Sequence, residues 1–353
     1  MRKKQTKIIS AGNLQIGGGN PVSVQSMTKT FTRDTAATIR QIKAMEKADC
    51  DIVRVAVPGK EDAKAIKIIK SKINIPLVAD IHFNYRLAIM AVEAGADKIR
   101  INPGNIGGKT KVKEVVAACR EKNIPIRVGV NSGSLEPDLQ QKYGHLSSKA
   151  LVESALRNVT MLEDLGFTDI VISAKSTSIP ITIETYRELS QKVDYPLHIG
   201  ITESGFGKTG MIRSSVGIGS LLSEGIGDTI RVSLTGAPIE EVLTGHTILK
   251  SLELKRSGVT IISCPTCGRC QVDIEKIVKK LEEKTRHIRR PVTLAVMGCA
   301  VNGPGEAKAA DIGIAGGKKE GTIFKKGKAA RKVPENRLVA EALKEIESLE
   351  DSK

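Results

Sequence analysis

The feature that most limits the fold of this chain is an alternation of eight short strand-like runs with helical stretches over about 250 residues. Each run is rich in β-branched residues, and a segment of helical periodicity follows it. We predict strands over residues 22–26, 51–57, 76–81, 97–102, 125–130, 168–173, 196–201 and 228–234. Strand–helix alternation indicates a parallel sheet, and eight units of this length match an α/β fold of the (β/α)8 TIM-barrel type. A doubly wound open sheet is the alternative, but no G-x-G-x-x-G follows the first strand.

The pattern changes after about residue 255, which predicts a second domain. A strand-like run leads into "SCPTCGRC" (263–270), and an amphipathic helix and another strand precede "VMGCAVNGPGE" (296–306). Two short strands around a Gly/Lys turn predict a hairpin, and a charged helix closes the chain. The expected organisation is therefore a barrel domain over residues 1–252 and a smaller α+β domain over residues 253–353.

The charge of the chain predicts an anionic ligand or partner. Its 353 residues include 55 Lys and Arg against 39 Asp and Glu, a net charge of +16. Only 3% of the residues are aromatic and Trp is absent, which argues against base stacking and so against nucleic acid. No apolar run follows the basic N-terminal residues and none is long enough to span a membrane, so we expect a cytoplasmic protein.

Polar side chains interrupt most of the predicted strands near their C-terminal ends, where the active sites of such barrels lie. Spacings of two or four place the members of each pair on one face of a strand. These candidates are Arg54, Asp80, His82, Arg100, Asn102, Arg127, Asn131, Ser173, Lys175, Glu203, Arg231 and Ser233. Any one of them could be a simple ion-pair partner, but the cations outnumber the acids. Because Arg fits phosphate oxygens well, the pattern predicts a phosphorylated or diphosphorylated small molecule, with His82 and Glu203 as acid–base candidates.

Four cysteines in the C-terminal part predict a metal site. Cys264, Cys267, Cys270 and Cys299 could close a tetrahedral zinc site, and an iron–sulfur cluster also commonly takes four thiolates. The spacing alone leaves the two alternatives open. A turn-rich loop after Cys299 is expected to bring Glu306 back towards it, where a carboxylate could serve as an exchangeable iron ligand.

Five motifs together resemble the bacterial 4-hydroxy-3-methylbut-2-enyl diphosphate synthase family over essentially the whole chain. They are "VQSMT", "TESGFGKTG", "SEGIGDTIRVSLT", "CPTCGR" and "GCAVNGPGE". The resemblance implies a TIM barrel followed by an iron–sulfur domain. It also implies a [4Fe–4S] cluster held by Cys264, Cys267, Cys299 and Glu306, which leaves Cys270 outside the ligand set.

The resemblance further implies a reaction and a set of roles. The substrate would be 2-C-methyl-D-erythritol 2,4-cyclodiphosphate, which two electrons reduce and open in the methylerythritol phosphate route to isoprenoids. The residues that match diphosphate-binding positions are Arg54, Arg100, Arg127, Lys175 and Ser233, helped by Asn102, Asn131 and Arg231. Asp80, His82 and Glu203 match polar residues around the carbon skeleton, with Glu203 as the expected proton donor.

The same resemblance implies a flavodoxin or ferredoxin as electron donor and a homodimer. A short linker after the last barrel helix makes it awkward for the cluster domain to fold back on its own barrel, so we expect it to cap the barrel of the partner. Two other classes remain as alternatives: a nucleic-acid-binding protein with a zinc knot, and a phosphate-ester barrel enzyme with a structural metal domain. Basic residues placed inside strands, and few aromatics, disfavour the first.

Overall fold

The computed structural model describes residues 3–144, 146–299, 301 and 303–349, with only the backbone at 303 and 304. The chain divides into two compact units after Leu254, and each has its own hydrophobic core. A search of the described part of the chain finds no helix with the length and apolar character needed to cross a membrane.

The first unit contains the predicted barrel of eight parallel strands. Its sheet order is β8-β7-β6-β5-β4-β3-β10-β9, and an isolated bridge between Ile172 and Leu197 joins the two ends. The strands are β3 (Ser23–Met27), β4 (Ile52–Ala56), β5 (Leu77–Asp80), β6 (Lys98–Ile101), β7 (Ile126–Asn131), β8 (Ile170–Lys175), β9 (His198–Ile199) and β10 (Thr229–Ile230). Each lies within or overlaps one predicted range, so the TIM-barrel prediction is confirmed.

Helices follow the strands and pack around the sheet. They are α1 (Thr35–Lys47), α2 (Lys60–Lys70), α3 (Tyr85–Glu93), α4 (Lys109–Glu121), α5 (Pro137–Tyr143), α6 (Ser148–Glu163), α7 (Ile179–Lys192), α8 (Gly207–Ser223) and α9 (Pro238–Ser251). Local signals fix several of their starts: Asp34 accepts a hydrogen bond from the Ala37 amide, and Asn84 from that of Arg86. Such a cap is worth about 1 kcal/mol.

A short hairpin that the sequence did not predict covers one end of the barrel. Its antiparallel strands are β1 (Ile9–Ala11) and β2 (Leu14–Ile16). Ala11 and Ile16 pack with Ile52 and Val78, which lie early in their strands. The hairpin therefore closes the N-terminal end of the barrel with an apolar contact, and the polar residues that the sequence analysis singled out lie towards the C-terminal ends of the strands.

The second unit is the predicted α+β fold, built on one five-stranded sheet. Three strands run parallel, β11 (Val259–Ser263), β12 (Val292–Met297) and β13 (Ile312–Gly317). The predicted hairpin is confirmed by β13 and antiparallel β14 (Glu320–Lys325), and a further strand, β15 (Lys328–Pro334), extends it. Helices α10 (Ile274–Thr285) and α12 (Leu338–Ser348) complete the unit with the short α11 (Gly303–Ala309).

The prediction of a turn-rich loop around Glu306 is wrong, because this carboxylate lies in the first turn of α11. The glycines and proline of "NGPGE" are typical of turns, but proline is also well tolerated in the first turn of a helix. A backbone N–H in the first turn of a helix has no intrahelical acceptor, so the absence of this group in proline costs no hydrogen bond.

Candidate functional site

The structure brings most of the predicted polar residues together around a cavity of about 100 Å³. Its lining residues are Arg54, Asp80, His82, Arg100, Arg127, Asn131, Ser173, Lys175, Thr202, Arg231 and Ser233. All but Thr202 were sequence candidates, whereas Asn102 and Glu203 are not part of the lining. Grooves of about 690 and 410 Å³ lie among the outer helices and hold none of these candidates, so the small polar cavity is the candidate site.

Strand register explains why residues distant in sequence meet here. Asp80 pairs with Arg100 across β5 and β6, and Arg100 pairs with Arg127 across β6 and β7. Asn131 pairs with Lys175 at the ends of β7 and β8. Paired residues of parallel strands lie side by side on one face, and residues four apart on a strand share that face, so these side chains all point into the barrel at two levels.

Asp80 is the centre of a compact charged network. Arg100 donates from Nη1 to Asp80 Oδ1 at 3.1 Å, and Arg54 Nε lies 3.7 Å from Oδ2. His82 Nε2 lies 3.5 Å from the same carboxylate and 3.0 Å from Arg100 Nη1. Burial alone would raise the pKa of Asp80, but Arg54, His82 and Arg100 together hold that pKa well below 3.8. Asp80 is therefore ionised, and both of its carboxylate oxygens are already engaged by arginine side chains.

The remaining cations of the cavity are only partly compensated. Arg127 is 1% exposed, and within the described structure its Nε and Nη1 have no hydrogen-bond partner. Burial, and then neighbouring cations, lower the pKa of Arg127 and of Lys175. Arg231 Nε lies 3.6 Å from Glu241, which also pairs with Lys29 at 2.7 Å. Buried charges need partners, so this cavity is suited to an anion.

Two glycines that the sequence analysis missed make the cavity possible. A Cβ at Gly129 would lie 2.9 Å from Cζ of Arg100, and closer still to its Nε. A Cβ at Gly200 would lie 2.8 Å from Nζ of Lys175 and would overlap the Arg231 carbonyl oxygen. The signal was a glycine in the middle of a predicted strand, which often marks the close approach of another group.

Asn102 and Glu203 flank the site in different ways. Asn102 is buried, and its side-chain oxygen accepts from the Gly104 amide at 3.1 Å, which caps the short turn after β6. Glu203 is exposed and follows the cavity residue Thr202 with φ at 51°. A non-glycine residue in this left-handed region carries backbone strain, which clusters at functional sites.

The cysteines lie at one edge of the second unit. Cys264 follows β11 directly, and Cys299 lies two residues beyond β12, its parallel neighbour. The Gly298 amide donates to Cys264 Sγ at 3.4 Å, which ties the two segments together. Cys267 is exposed, whereas Cys270 donates from its thiol to the Val272 carbonyl at 3.1 Å. All six cysteines of the chain fall among the described residues, and none of them forms a disulfide.

The donors present fit an iron–sulfur cluster in their chemistry. Cys264, Cys267 and Cys299 offer thiols from neighbouring segments, and Glu306 offers an exposed carboxylate from α11. The amide hydrogen bond to Cys264 Sγ also suits a sulfur that carries negative charge. In the described residues no three His, Cys, Asp or Glu side chains are grouped closely enough to hold a metal ion. Three thiols and one carboxylate are the donor types that such a cluster takes, so the residues fit it in kind.

Solved structures share the barrel fold. A sialic acid synthetase from Leptospira borgpetersenii has a TM-score of 0.51 at 13% identity, covering 70% of this chain and 89% of that one. A dihydropteroate synthase from Yersinia pestis has a TM-score of 0.50 at 12% identity, covering 70% of this chain and 97% of that one. At such identities the likeness shows the fold alone.

Sequence relatives show more. The profile of the GcpE TIM-barrel domain matches residues 6–246, and that of the GcpE protein C-terminal domain matches residues 260–348. A relative from Caldanaerobacter subterraneus subsp. tengcongensis is 59% identical over 98% of both chains, and one from Clostridium perfringens is 57% identical over 99% of this chain and 100% of its own. Both are named 4-hydroxy-3-methylbut-2-en-1-yl diphosphate synthase (flavodoxin). Because both domain profiles match in order and these relatives align from end to end, the chain belongs to the GcpE family.

Proposed function

We propose that this chain is a 4-hydroxy-3-methylbut-2-enyl diphosphate synthase, an iron–sulfur oxidoreductase of the methylerythritol phosphate pathway of isoprenoid biosynthesis. Its substrate is 2-C-methyl-D-erythritol 2,4-cyclodiphosphate. When substrate and product are both written as fully protonated acids, the reaction takes up two electrons and two protons. The ring C–O bond to the diphosphate breaks, and one hydroxyl leaves as water. The observation that carries the proposal is the buried, incompletely paired set of cations at the C-terminal ends of the barrel strands.

Diphosphate binding falls to the cations that lack a full set of partners. Arg127 and Lys175 are buried on β7 and β8, and Arg231 lies beyond β10. Arg presents a planar fork of donors that matches two phosphate oxygens, and Lys adds a compact charge. Asn131 and Ser233 line the same cavity and add neutral polar groups. An anionic diphosphate would supply the negative charge that the cavity residues lack.

Asp80 and His82 form the side of the cavity that we assign to the carbon skeleton. Asp80 is held ionised by Arg54 and Arg100, so it orients these two guanidinium groups and accepts hydrogen bonds. The His82 side chain is 52% exposed at the rim, with Nε2 turned towards Asp80 and Arg100. It can therefore hold a hydroxyl or exchange a proton with solvent.

Glu203 is the proposed proton donor to the departing hydroxyl. It is exposed in the segment after β9, next to the cavity residue Thr202, and its backbone is held in a left-handed conformation. An exposed carboxyl group can be reprotonated by solvent after each turnover. We expect Glu203→Gln to lower kcat while leaving diphosphate binding unchanged.

Cys264, Cys267, Cys299 and Glu306 are the residues that would hold a [4Fe–4S] cluster. When bound, the cluster supplies the electrons and an iron whose carboxylate ligand is exchangeable. The chain's own part is to present three thiols and one carboxylate from β11, β12 and α11. We place Cys270 outside this set, because its thiol is hydrogen-bonded to Val272 within its own segment.

The electrons come from a flavodoxin in this proposal, with a ferredoxin as the alternative carrier. Support comes from exposed cations at the sheet edge that carries the cysteines. Arg269 lies between Cys267 and Cys270, and Lys318 and Lys319 form the turn directly after β13. The register of β12 and β13 sets this turn beside the segment that leads to Cys299. Such an edge suits an acidic carrier, and the proposed location of both proteins is the cytoplasm.

A homodimer in which each cluster domain caps the barrel of the partner completes the proposal. Residues 252–258 alone separate α9 from β11, and so short a linker limits how far one chain can fold back on itself. Exposed apolar residues Ile212 and Val216 lie one turn apart on α8, beside a groove lined by Met211 and Leu243. Contiguous exposed apolar surface of this kind favours association with a second copy.

Complementation between inactive chains tests the dimer. A Cys267→Ala chain keeps its barrel and a Glu203→Ala chain keeps its cluster, so a mixed dimer retains one intact pair if the domains work across the interface. We expect about half of the wild-type activity from purified mixed dimers. Activity no higher than that of either parent would rule out the shared arrangement.

The proposed function is tested with anaerobically prepared protein, the cyclic diphosphate and reduced flavodoxin. We expect iron and sulfide in the purified chain and formation of 4-hydroxy-3-methylbut-2-enyl diphosphate. Arg127→Met should abolish substrate binding, whereas Lys67→Met on the exposed face of α2 should not affect it. Zinc without sulfide, or tight binding of RNA without turnover, would favour the alternative classes instead.

A further inference from the structure

A second polar layer lies inside the barrel beneath the cavity, and the proposed reaction does not use it. Three buried polar residues lie two positions before residues at the cavity. Lys98 precedes Arg100, His198 precedes Gly200, and Thr229 precedes Arg231. Residues two apart on a strand share a face and are roughly 7 Å apart along it. Ser23 and His198 both pair with Thr229, and Gln25 shares the face of Ser23. We call Ser23, Gln25, Lys98, His198 and Thr229 the inner layer.

The polar atoms of the inner layer are buried and lack protein partners. Lys98 and His198 are 0% exposed. Within the described residues, Lys98 Nζ, both ring nitrogens of His198 and both amide atoms of Gln25 have no hydrogen-bond partner. A buried Lys that pairs with no carboxylate is costly as a cation and much less so as a neutral amine. Within the inner layer, Lys98 and His198 are the two residues that can carry a proton, and neither has a partner that stabilises its charged form.

The charges that face this layer are almost all positive. Lys98 lies near Arg127 and Arg54, and His198 lies near Lys175, Arg127, Lys98 and Arg54. The acids of the region are already engaged: Asp80 by Arg54 and Arg100, Glu241 by Lys29 and Arg231, and the buried Asp228, directly before Thr229, by Lys3 and the Leu197 amide. Burial first, and these cations second, lower the pKa of both Lys98 and His198. Burial, together with the same positive field that would attract an anion, therefore disfavours the charged form of both groups.

We propose that Lys98 and His198 are charge-compensating residues of the anion site, which take up protons from solvent when a diphosphate enters the cavity. The inference rests on the proposed function only in naming a diphosphate as the ligand. A bound diphosphate cancels the positive field of Arg127 and Lys175, so the protonated forms of the inner-layer groups become more favourable. Proton uptake and anion binding are then linked, and the affinity falls as the pH rises.

The test is calorimetric titration of the holoenzyme with inorganic pyrophosphate in buffers of different ionisation enthalpy near neutral pH. The slope of the observed enthalpy against the buffer enthalpy gives the number of protons taken up. We expect roughly one proton per pyrophosphate beyond those that the ligand itself takes up, and an affinity that falls up to about tenfold per pH unit. Lys98→Met and His198→Asn should each reduce the uptake, and the difference from wild type cancels the titration of pyrophosphate.

Lys67→Met is the matched control, because it makes the same substitution on the exposed face of α2 and should leave the uptake unchanged. An equal proton number in the wild type and in both inner-layer variants would overturn the inference while leaving the proposed function intact. Should Lys98→Met fail to fold, the His198→Asn comparison decides alone. Turnover of the cyclic diphosphate, measured in parallel, separates failure of this inference from failure of the proposed function.

Discussion

Arg100 and Gly129 approach so closely across β6 and β7 that only glycine fits at position 129. The Arg100 guanidinium donates from Nη2 to the Gly129 carbonyl at 2.9 Å, while Nη1 reaches Asp80 on the other side at 3.1 Å. A Cβ at 129 would lie 2.9 Å from Arg100 Cζ. The strand backbone is therefore part of the anion site, because it sets the position of a guanidinium.

The first prediction follows from this approach. Gly129→Ala should displace Arg100 and lower the affinity for the cyclic diphosphate by about 2 kcal/mol, roughly 30-fold, since one charged hydrogen-bonding group is misplaced. Gly133→Ala is the control, because position 133 is exposed and a Cβ there meets nothing within 4 Å. Titration calorimetry of both variants measures the difference, and equal affinities would show that Arg100 does not contact the ligand.

The second prediction concerns Asp80 and pH. Burial opposes ionisation, but Arg54, His82 and Arg100 keep the pKa of Asp80 well below 3.8. The ionised carboxylate is therefore more favourable in the folded state than in the unfolded chain. The stabilisation is therefore fully present above the unfolded pKa of about 3.9, and is lost as the pH falls from there through the folded pKa. Asp80→Asn should lower the free energy of unfolding by about 3 kcal/mol near neutral pH.

Denaturant unfolding at several pH values checks this prediction. The gap between wild type and Asp80→Asn should be constant from about pH 5 to 8 and should narrow below about pH 4. Asp164→Asn removes an exposed partner of Lys109 and should cost less than about 1 kcal/mol. A gap that did not change with pH would mean that packing, rather than charge, accounts for the effect of Asp80.

Much of the barrel site was predictable because its signal is local. Charged residues such as Arg54, Arg100 and Arg127 stand where a barrel strand normally carries Val or Ile, and the two-residue period of a strand gives their common face. Asp80 and Lys175 followed from the same pattern. The register sets Asp80, Arg100 and Arg127 side by side, whereas Arg54 lies two positions lower and Lys175 four positions higher on the same inner face.

The parts that the sequence did not predict depend on contacts between distant segments. Gly129 and Gly200 matter because of the side chains that cross them, and a glycine in a strand does not reveal its neighbour. The hairpin of β1 and β2 has strands too short for a periodic signal, and it is positioned by packing of Ile16 on the barrel. Asn102 stays a predicted substrate contact: its side-chain oxygen caps the Gly104 amide, which the sequence did not predict, while its side-chain nitrogen is buried and has no hydrogen-bond partner in the described structure.

The third prediction separates Cys270 from Cys264. Cys270→Ser should retain iron and sulfide, because the Cys270 thiol is hydrogen-bonded to Val272 and a serine hydroxyl can donate the same bond. Cys264→Ser should lose most of both, since Cys264 lies at the end of β11 beside the segment that carries Cys299. Chemical analysis of iron and acid-labile sulfide in anaerobic protein is the measurement. Equal loss from both variants would support a site with four thiolates.

The fourth prediction locates the electron carrier at the cysteine edge of the second unit. Arg269, Lys318 and Lys319 are exposed there, and no ion pair involving them is found in the described structure. The nearby acids are engaged: Glu320 pairs with Lys332 at 3.0 Å, and Glu335 accepts from the Asp273 amide. An acidic flavodoxin would therefore meet a net positive surface close to the proposed cluster ligands.

Charge reversal at this edge should weaken the carrier without changing the chemistry. We expect Arg269→Glu combined with Lys318→Glu and Lys319→Glu to raise the KM for reduced flavodoxin at least about tenfold, with the largest effect at low salt. The kcat with a small artificial reductant should stay near that of the wild type. Lys326→Glu with Lys328→Glu is the control, because these exposed residues lie at the turn between β14 and β15, at the opposite edge of the sheet. If the control variant raised the KM as much as the triple variant, the carrier would be attracted by the net charge of the whole unit. The edge that carries the cysteines would then have no special part in binding it.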